Sequence, residues 1–486
     1  MELKTAKVVP IYKSDDKHSF NNYRPISLLS SLSKLLEKIV AKQMVGFLYK
    51  HKILYKHQYG FRNGHSTCHP VLHFLDKIIL ALNKPNPEYT LGIFLDLKKA
   101  FDTVDHGVLL AKLNHYGFRG LANTWFKNYL GNRKQFVHIN GENSSHKEML
   151  CGVPQGSVLG PLLFLIFIND LPNCCKFFTL LFADDTTFQL TGSNLVNLFD
   201  LANSELNKAS KWFQINKLTL NTSKTKYILF RAKTMHVNFS NLNLKIGCET
   251  VERIGNECKT KFFKFVGHHL DEHLSWEHQI NHVRGKLASG NYAIARTKNF
   301  LPKNIRLTLY NSLFRPYLEF GILAWGGAPY KEFGTMTWGG VNATKLKGIT
   351  NLQKKCVRNV AGKQFRSHTE PIFSSLKILK FTDLFKFNCS TFMHKLVLGK
   401  QPDSFQTMFT PLDGANRTKN FLTSISKNNF ISQFPTIFLP KIWNANSLEL
   451  KNIPKHKSFK TDLQNFFISQ YNTHVNCHDP MCPDCK

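Results

Sequence analysis

The chain has 486 residues, with 64 Lys and Arg against 32 Asp and Glu, a formal net charge of +32 and a pI near 9.7. That balance points to a polyanionic partner, nucleic acid or an anionic membrane surface, and the length has room for about three domains. "MELKTAKVVPIYK" lacks the apolar core of a signal peptide, and the longest apolar run, Val158 to Ile168, is too short for a bilayer and broken by Gly160 and Pro161. Eleven cysteines without a regular framework fit reduced thiols better than a disulfide scaffold, so an intracellular protein with no membrane partner is expected.

In chain order, Leu28, Leu29, Leu32, Leu35, Leu36, Ile39 and Val40 recur at helical spacing and predict a helix. "LGIFLDL" (Leu91 to Leu97) is an apolar run closed by charge, a buried strand ending in Asp96, after which Asp105 is placed to cap a helix through Leu109, Leu110 and Leu113. Asn140-Gly141 marks a hairpin turn. "GVPQGSVLGPLLFLIFIND" starts as a Gly-rich loop and becomes an apolar helix. Phe177 to Ala183 and Thr186 to Leu190 read as two strands, with Asp184 and Asp185 where they join. A helical stripe of Phe199, Ala202, Leu206, Ala209 and Phe213 follows, then the strand "KYILF".

This alternation describes an α+β sheet domain over residues 1–270. Ile280, Val283 and Leu287, with Ile305 and Leu309 after Pro302, predict a helical region over 271–326. Residues 327–345, with "YKEFGTMTWGG", read as a Gly-rich linker or insertion, and 346–486 as a basic, mostly helical C-terminal region.

Adjacent acids at a turn are ordinarily solvated. Between two apolar strands, unpaired charges are costly unless a cation compensates them. Asp96 ends another apolar strand, and neighbouring strands of one sheet bring three carboxylates together. Hard cations such as Mg²⁺ take oxygen ligands of this kind, and two of them stabilise the attacking and leaving oxygens of a phosphoryl displacement. No P-loop sequence is present. Strand-borne acids on a strongly basic chain favour chemistry on nucleic acid.

"NNYRPISLLSSLSKLLEKI", "QYGFRNGHST", "IFLDLKKAFDTVDH", "GVPQGSVLGPLLFLIFINDL", "LLFADDTTF" and "LNTSKTKYILF", in that order, resemble the successive motifs of the reverse transcriptases of non-LTR (LINE-type) retrotransposons, jockey-like and CR1-like groups above all. The resemblance runs from about Ala6 to Gly326. It implies a right-hand polymerase, with fingers and a palm carrying an antiparallel sheet, then a helical thumb over 271–326. It further implies RNA-directed DNA synthesis with two Mg²⁺ ions, an RNA template, a DNA primer and dNTPs, in the nucleus or a cytoplasmic ribonucleoprotein. Asp96, Asp184 and Asp185 would hold metal together with the Leu97 backbone carbonyl. Phe101 resembles the aromatic gate against a 2′-hydroxyl, Arg62 the arginine that grips the triphosphate, and Gln155, Gly156 and Ser157 the loop against template and nucleotide. Lys224 in "SKTK" resembles the lysine that protonates pyrophosphate; spacing does not separate it from Lys226.

"KFVGHHLD" stands in the primer-grip place but departs from the family's form at Val266 and its paired histidines. Cys477, Cys482 and Cys485 with His478 make a zinc-knuckle-like set of non-standard spacing, with free thiols as the plainer reading. Nothing here resembles the endonuclease that precedes the polymerase in the family's larger polyproteins. The expectation is therefore a polymerase fragment, a truncated copy or one product of a split reading frame, with the endonuclease elsewhere. A catalytically inactive or domesticated RNA-binding relative is the alternative.

Overall fold

The computed structural model describes residues 2–13, 16–327, 340–412, 419–423 and 434–471. The candidate zinc set Cys477, Cys482, Cys485 and His478 lies outside these residues, as does most of the Gly-rich segment. Two compact units divide the chain: residues 1–65, 90–229 and 235–253 form the first, and 66–89, 230–234 and 254–486 the second.

In the first unit, β1 (Thr5–Tyr12) pairs antiparallel with β2 (Tyr23–Leu28). The central strand β3 (Tyr89–Leu95) is apolar and almost wholly buried. β4 (Lys134–Ile139) turns at Asn140-Gly141, both with positive φ, and lies parallel to β1. β5 (Phe178–Phe182) and β6 (Asp185–Gly192) form an antiparallel hairpin with Phe182 opposite Asp185. With β7 (Lys226–Phe230) they complete a second sheet, ordered Glu252–Arg253, β7, β3, β6, β5. Each large apolar side chain removed from water contributes about 1.5–3 kcal/mol, so the buried run in β3 anchors this sheet.

Helix α1 (Ser31–Lys50) occurs where its periodicity predicts, but turned. Ser33, Glu37, Ala41, Met44 and Leu48 face inward, while Leu32, Leu35, Leu36 and Ile39 are each more than half exposed. A polar demand at Glu37, described below, overrides the apolar stripe. α2 (Leu159–Ile168) is apolar on every side and buried, and α3 (Leu195–Ile215) buries the expected stripe from Phe199 to Phe213. Asp105 caps its helix as predicted, accepting from Val108 N–H at 2.9 Å.

The second unit is mostly helical. α4 (Glu277–Arg296) buries Ile280, Val283 and Leu287 as expected. Ile305, by contrast, is exposed, because the helix Lys303–Leu309 turns Arg306 inward instead. α5 (Gly340–Ala361) packs along α4. Gln353 of α5 ties in the start of α6 (Phe381–Val397), accepting from Phe381 N–H at 2.8 Å and donating to Leu379 O at 2.9 Å. No helix among the described residues is long and apolar enough to cross a membrane, and the described cysteines are all free.

The hairpin of β8 (Phe263–Phe265) and β9 (His268–Leu270) turns through Val266 and Gly267, with φ of +43° and +87°. Two consecutive positive φ values make a tight hairpin turn that suits Asn-Gly and strains a β-branched residue. Replacing Val266→Asn is expected to stabilise the protein by about 1 kcal/mol, read as a higher urea midpoint. His268, fully buried against Phe320, is held neutral, its imidazole pushed down to about 4, chiefly by burial. An unfolded histidine takes its proton near 6.5 and the folded one only near 4, so stability is complete above 6.5 and falls as pH drops toward 4. Urea melts over that window should show a slope that His268→Gln reduces.

Candidate active site

The β5–β6 turn is built by close backbone approach. Ala183 takes φ +59°, a left-handed conformation uncommon for a residue with a Cβ. Gln58 Oε1 accepts from the N–H of Gly60 at 2.8 Å and from that of Ala183 at 3.1 Å. A Cβ on Gly60 would lie 2.2 Å from Ala183 N, so that position must be glycine. The "QYG" of the second motif is therefore the bed on which the aspartate turn rests.

Asp184 projects from this turn into a cleft of about 1450 Å³ in the first unit, lined also by Asp96, Leu97, Phe101, Gln155 and Lys224. Asp96 follows β3 directly. Asn221 fixes it twice, its amide donating to the carboxylate at 2.7 Å and its backbone N–H to the Asp96 carbonyl at 2.8 Å. Asp185 opens β6, is exposed, and is not part of the cleft wall. The three acids still feel one another. Burial first, then the Asp96 charge, raises the Asp184 carboxyl, while Arg24 and Lys13 pull it back. Asp185 is pushed up to about 6 by its surroundings, then by Asp184 and Asp96.

Those cations went unremarked in the sequence. Lys13, Lys17 and Arg24 line the same cleft, on and after the β1–β2 hairpin. "NNYRP" holds Arg24, and its position beside an acidic motif 160 residues away depends on the sheet pairing rather than on spacing.

The "PQGS" loop is pinned on both sides. Ser27 N–H donates to Gln155 O at 2.7 Å, and a Cβ on Gly156, whose φ is +127°, would sit 2.5 Å from Ser27 O. Gln155 Nε2 donates to Asp102 Oδ1 at 2.9 Å, which partly offsets the rise that burial imposes on that carboxyl. Ser157 turns inward: its hydroxyl donates to Pro154 O and accepts from Gly160 N–H, both at 2.9 Å. It shapes the loop and does not line the cleft.

Glu37 was also missed. Only 1% exposed, its carboxylate accepts from Val158 N–H at 2.5 Å, Leu159 N–H at 3.2 Å and the Tyr129 hydroxyl at 3.2 Å. An acid there satisfies the unpaired N–H groups that begin α2 and complements its dipole. The signal was available in "SKLLEKI", where one acid interrupts an apolar helical face.

Phe101 stacks on Phe164 with ring centroids 4.5 Å apart and stands in the cleft wall. Lys224 lines the cleft, whereas Lys226 is held by Glu252 and Ser223 O, both at 2.6 Å. Arg62 is not brought to the cleft. Its guanidinium donates to the carbonyls of Tyr55 and Gln58 at 3.0 and 3.1 Å and lies over the Tyr49 ring.

Among the described residues no three His, Cys, Asp or Glu side chains form a ready metal-binding group. The donor chemistry nonetheless fits a hard divalent cation: oxygen ligands alone, with carboxyls raised by burial and mutual repulsion that a cation relieves.

An acidic turn and a second acidic strand end sharing a cation-rimmed cleft on one sheet describe a nucleotidyl-transfer centre. Residues 11–270 match the family model for reverse transcriptase (RNA-dependent DNA polymerase), and the chain belongs to that family, whose fold is the right-hand polymerase. The RNA-directed DNA polymerase from mobile element jockey of Drosophila melanogaster is 27% identical over 81% of this chain and 41% of its own length. The probable RNA-directed DNA polymerase from transposon BS of the same species is 36% identical over 48% of this chain and 26% of its own. Among solved structures, apo telomerase from Candida Tropicalis overlaps with a TM-score of 0.38 at 11% identity, covering 79% of this chain and 63% of that one. The chain spans about two fifths of the length of the jockey and X-element polymerases it matches, 41% and 39%.

Glu37→Gln keeps the side chain's shape but removes the charge that faces two N–H groups. It is expected to lower stability by about 2 kcal/mol in urea unfolding, with protease cleavage appearing first around residues 154–159.

Proposed function

We propose that the chain is the RNA-directed DNA polymerase of a non-LTR retrotransposon, copying its element's RNA from a DNA primer with dNTPs. The observation that carries this reading is the joint presence of Asp96 and Asp184 in one cleft rimmed by Lys13, Lys17, Arg24 and Lys224. Such a rim concentrates a polyanionic template and a triphosphate beside the acids.

Asp96 and Asp184, with the Leu97 carbonyl and Asp185 at the rim, would hold Mg²⁺. When bound, the ions supply charge stabilisation for the attacking 3′-oxygen and the departing pyrophosphate. The rest is done by the chain. Phe101, stacked on Phe164 and so unable to swing away freely, limits the space beneath the incoming sugar and selects deoxynucleotides. Gln155, oriented by Asp102, lies against the nucleotide. Lys224, free of the ion pair that occupies Lys226, is the proton donor to pyrophosphate. Arg62 acts on the triphosphate once released from the Tyr55 and Gln58 carbonyls, which it leaves at the cost of two hydrogen bonds. The endonuclease activity such an element needs is supplied by another domain or protein.

Primer extension on an RNA template with dNTPs and Mg²⁺ tests the reading. Asp184→Asn is expected to lower the extension rate by at least about a thousandfold, since it removes charge stabilisation made in the transition state. Equal extension by the variant, or none by folded wild-type protein, would sink it.

A further inference from the structure

Outside the cleft, the second unit carries a groove of about 500 Å³ where α4 and α5 lie along each other. Its size falls within the range of about 300–1,000 Å³ usual for ligand clefts. The floor is backbone at Gly285 and Gly348; the walls carry Arg284, Lys355 and the carboxamides of Asn281 and Asn351. No acid lines it.

The two helices are lopsided in charge well beyond the groove. α4 contributes Arg284, Lys286 and Arg296, and α5 contributes Lys345, Lys347, Lys354, Lys355 and Arg358, against the single acid Glu277. Helices whose charges merely solvate a surface usually interleave signs. Among the described residues Arg284, Lys286, Lys347 and Lys355 make no ion pair. Lys355 meets only the Phe365 ring, 5.9 Å away. The groove also holds its guanidinium in place. A Cβ on Gly348 would lie 3.0 Å from Arg284 Nε, so the absence of a side chain there is what lets the planar fork rest on α5.

A fork, an ammonium and two amides without an acid suit an oxygen-rich anion, since guanidinium pairs bidentately with phosphate and amides donate to its remaining oxygens. We propose that the α4–α5 groove seats backbone phosphates of a polynucleotide. This is a second nucleic-acid contact, built by helices that both lie outside the matched span 11–270. It deepens the polymerase reading by giving the template or its product a hold remote in sequence from the catalytic motifs, and it reads phosphate, not bases.

Anisotropy titrations of the full chain, without nucleotides, test it. The probes are a labelled 20-nucleotide single-stranded RNA and an RNA–DNA duplex, each across a salt series. Two phosphate contacts carry about 1.4 of the log K against log [salt] slope for a single strand. Arg284→Gln/Lys355→Gln is expected to lower the slope by that amount. Gly285→Glu, at a position where a Cβ meets nothing within 4 Å, places a charge in the groove without crowding and is expected to weaken binding about tenfold. An unchanged melting temperature in both variants excludes unfolding as the cause. Loss for either probe supports the seat, and the probe that loses more identifies the form held.

Unchanged slope and affinity in both variants would overturn the proposal. So would variant-sensitive binding to phosphatidylserine vesicles with RNA binding unaltered. The two readings fail separately. Groove-dependent binding by a folded chain that extends no primer sinks only the polymerase reading, and extension by a chain whose RNA binding ignores both variants sinks only the groove.

Discussion

Two neighbouring carboxylates, with a third on the adjoining strand, are the demand around which the first unit is arranged. Asp184 and Asp185 sit at the end of buried strands, where burial and mutual repulsion both oppose ionisation. Much of the surrounding sequence answers that demand. Asn221 holds Asp96 by side chain and backbone, Gln58 holds the turn, and Arg24 and Lys13 supply positive charge. The net charge of the whole chain is thus only the coarse view of a specific arrangement in which basic side chains from one sheet face acids from another.

A second arrangement serves the loop between substrate and helix. Glu37 reaches from α1 to the start of α2, and Ser27 grips Gln155 from β2. The loop "PQGS" therefore takes its shape from elements more than a hundred residues earlier. Burying an acid on α1 has a cost: its inward face is assigned to Ser33 and Glu37, and the leucine stripe is left toward solvent. The helix gives up apolar burial of its own to hold another element in place.

Most of the first unit was legible. Runs such as "LGIFLDL" and "KYILF" are strands because apolar residues without helical spacing have no other way to bury, and Asn140-Gly141 admits almost one turn type. Six ordered motifs made the acids and Phe101 legible as well, and the cleft gathers Asp96, Asp184, Phe101, Gln155 and Lys224. Side-chain direction was not legible. Ser157 looked like a substrate contact and spends its hydroxyl inside the loop; Arg62 lies on nearby carbonyls; and α1 faces the reverse of its stripe. Periodicity reports which residues share a face, and only tertiary partners decide where that face points. Lys224 and Lys226, equal in sequence, differ because Glu252 pairs beside β7 and captures one of them.

The contact between Gly60 and Ala183 bears on how copies of mobile elements age. Most copies accumulate substitutions without selection, and intact catalytic acids are the natural sign of a living one. Here a single methyl at Gly60 would meet backbone, which cannot step aside, 2.2 Å away. A copy could keep every aspartate and still be silenced by a change that alters no charge and no polar group. In inventories of such elements, the glycine of "QYG" is as informative a mark of competence as the acids it supports.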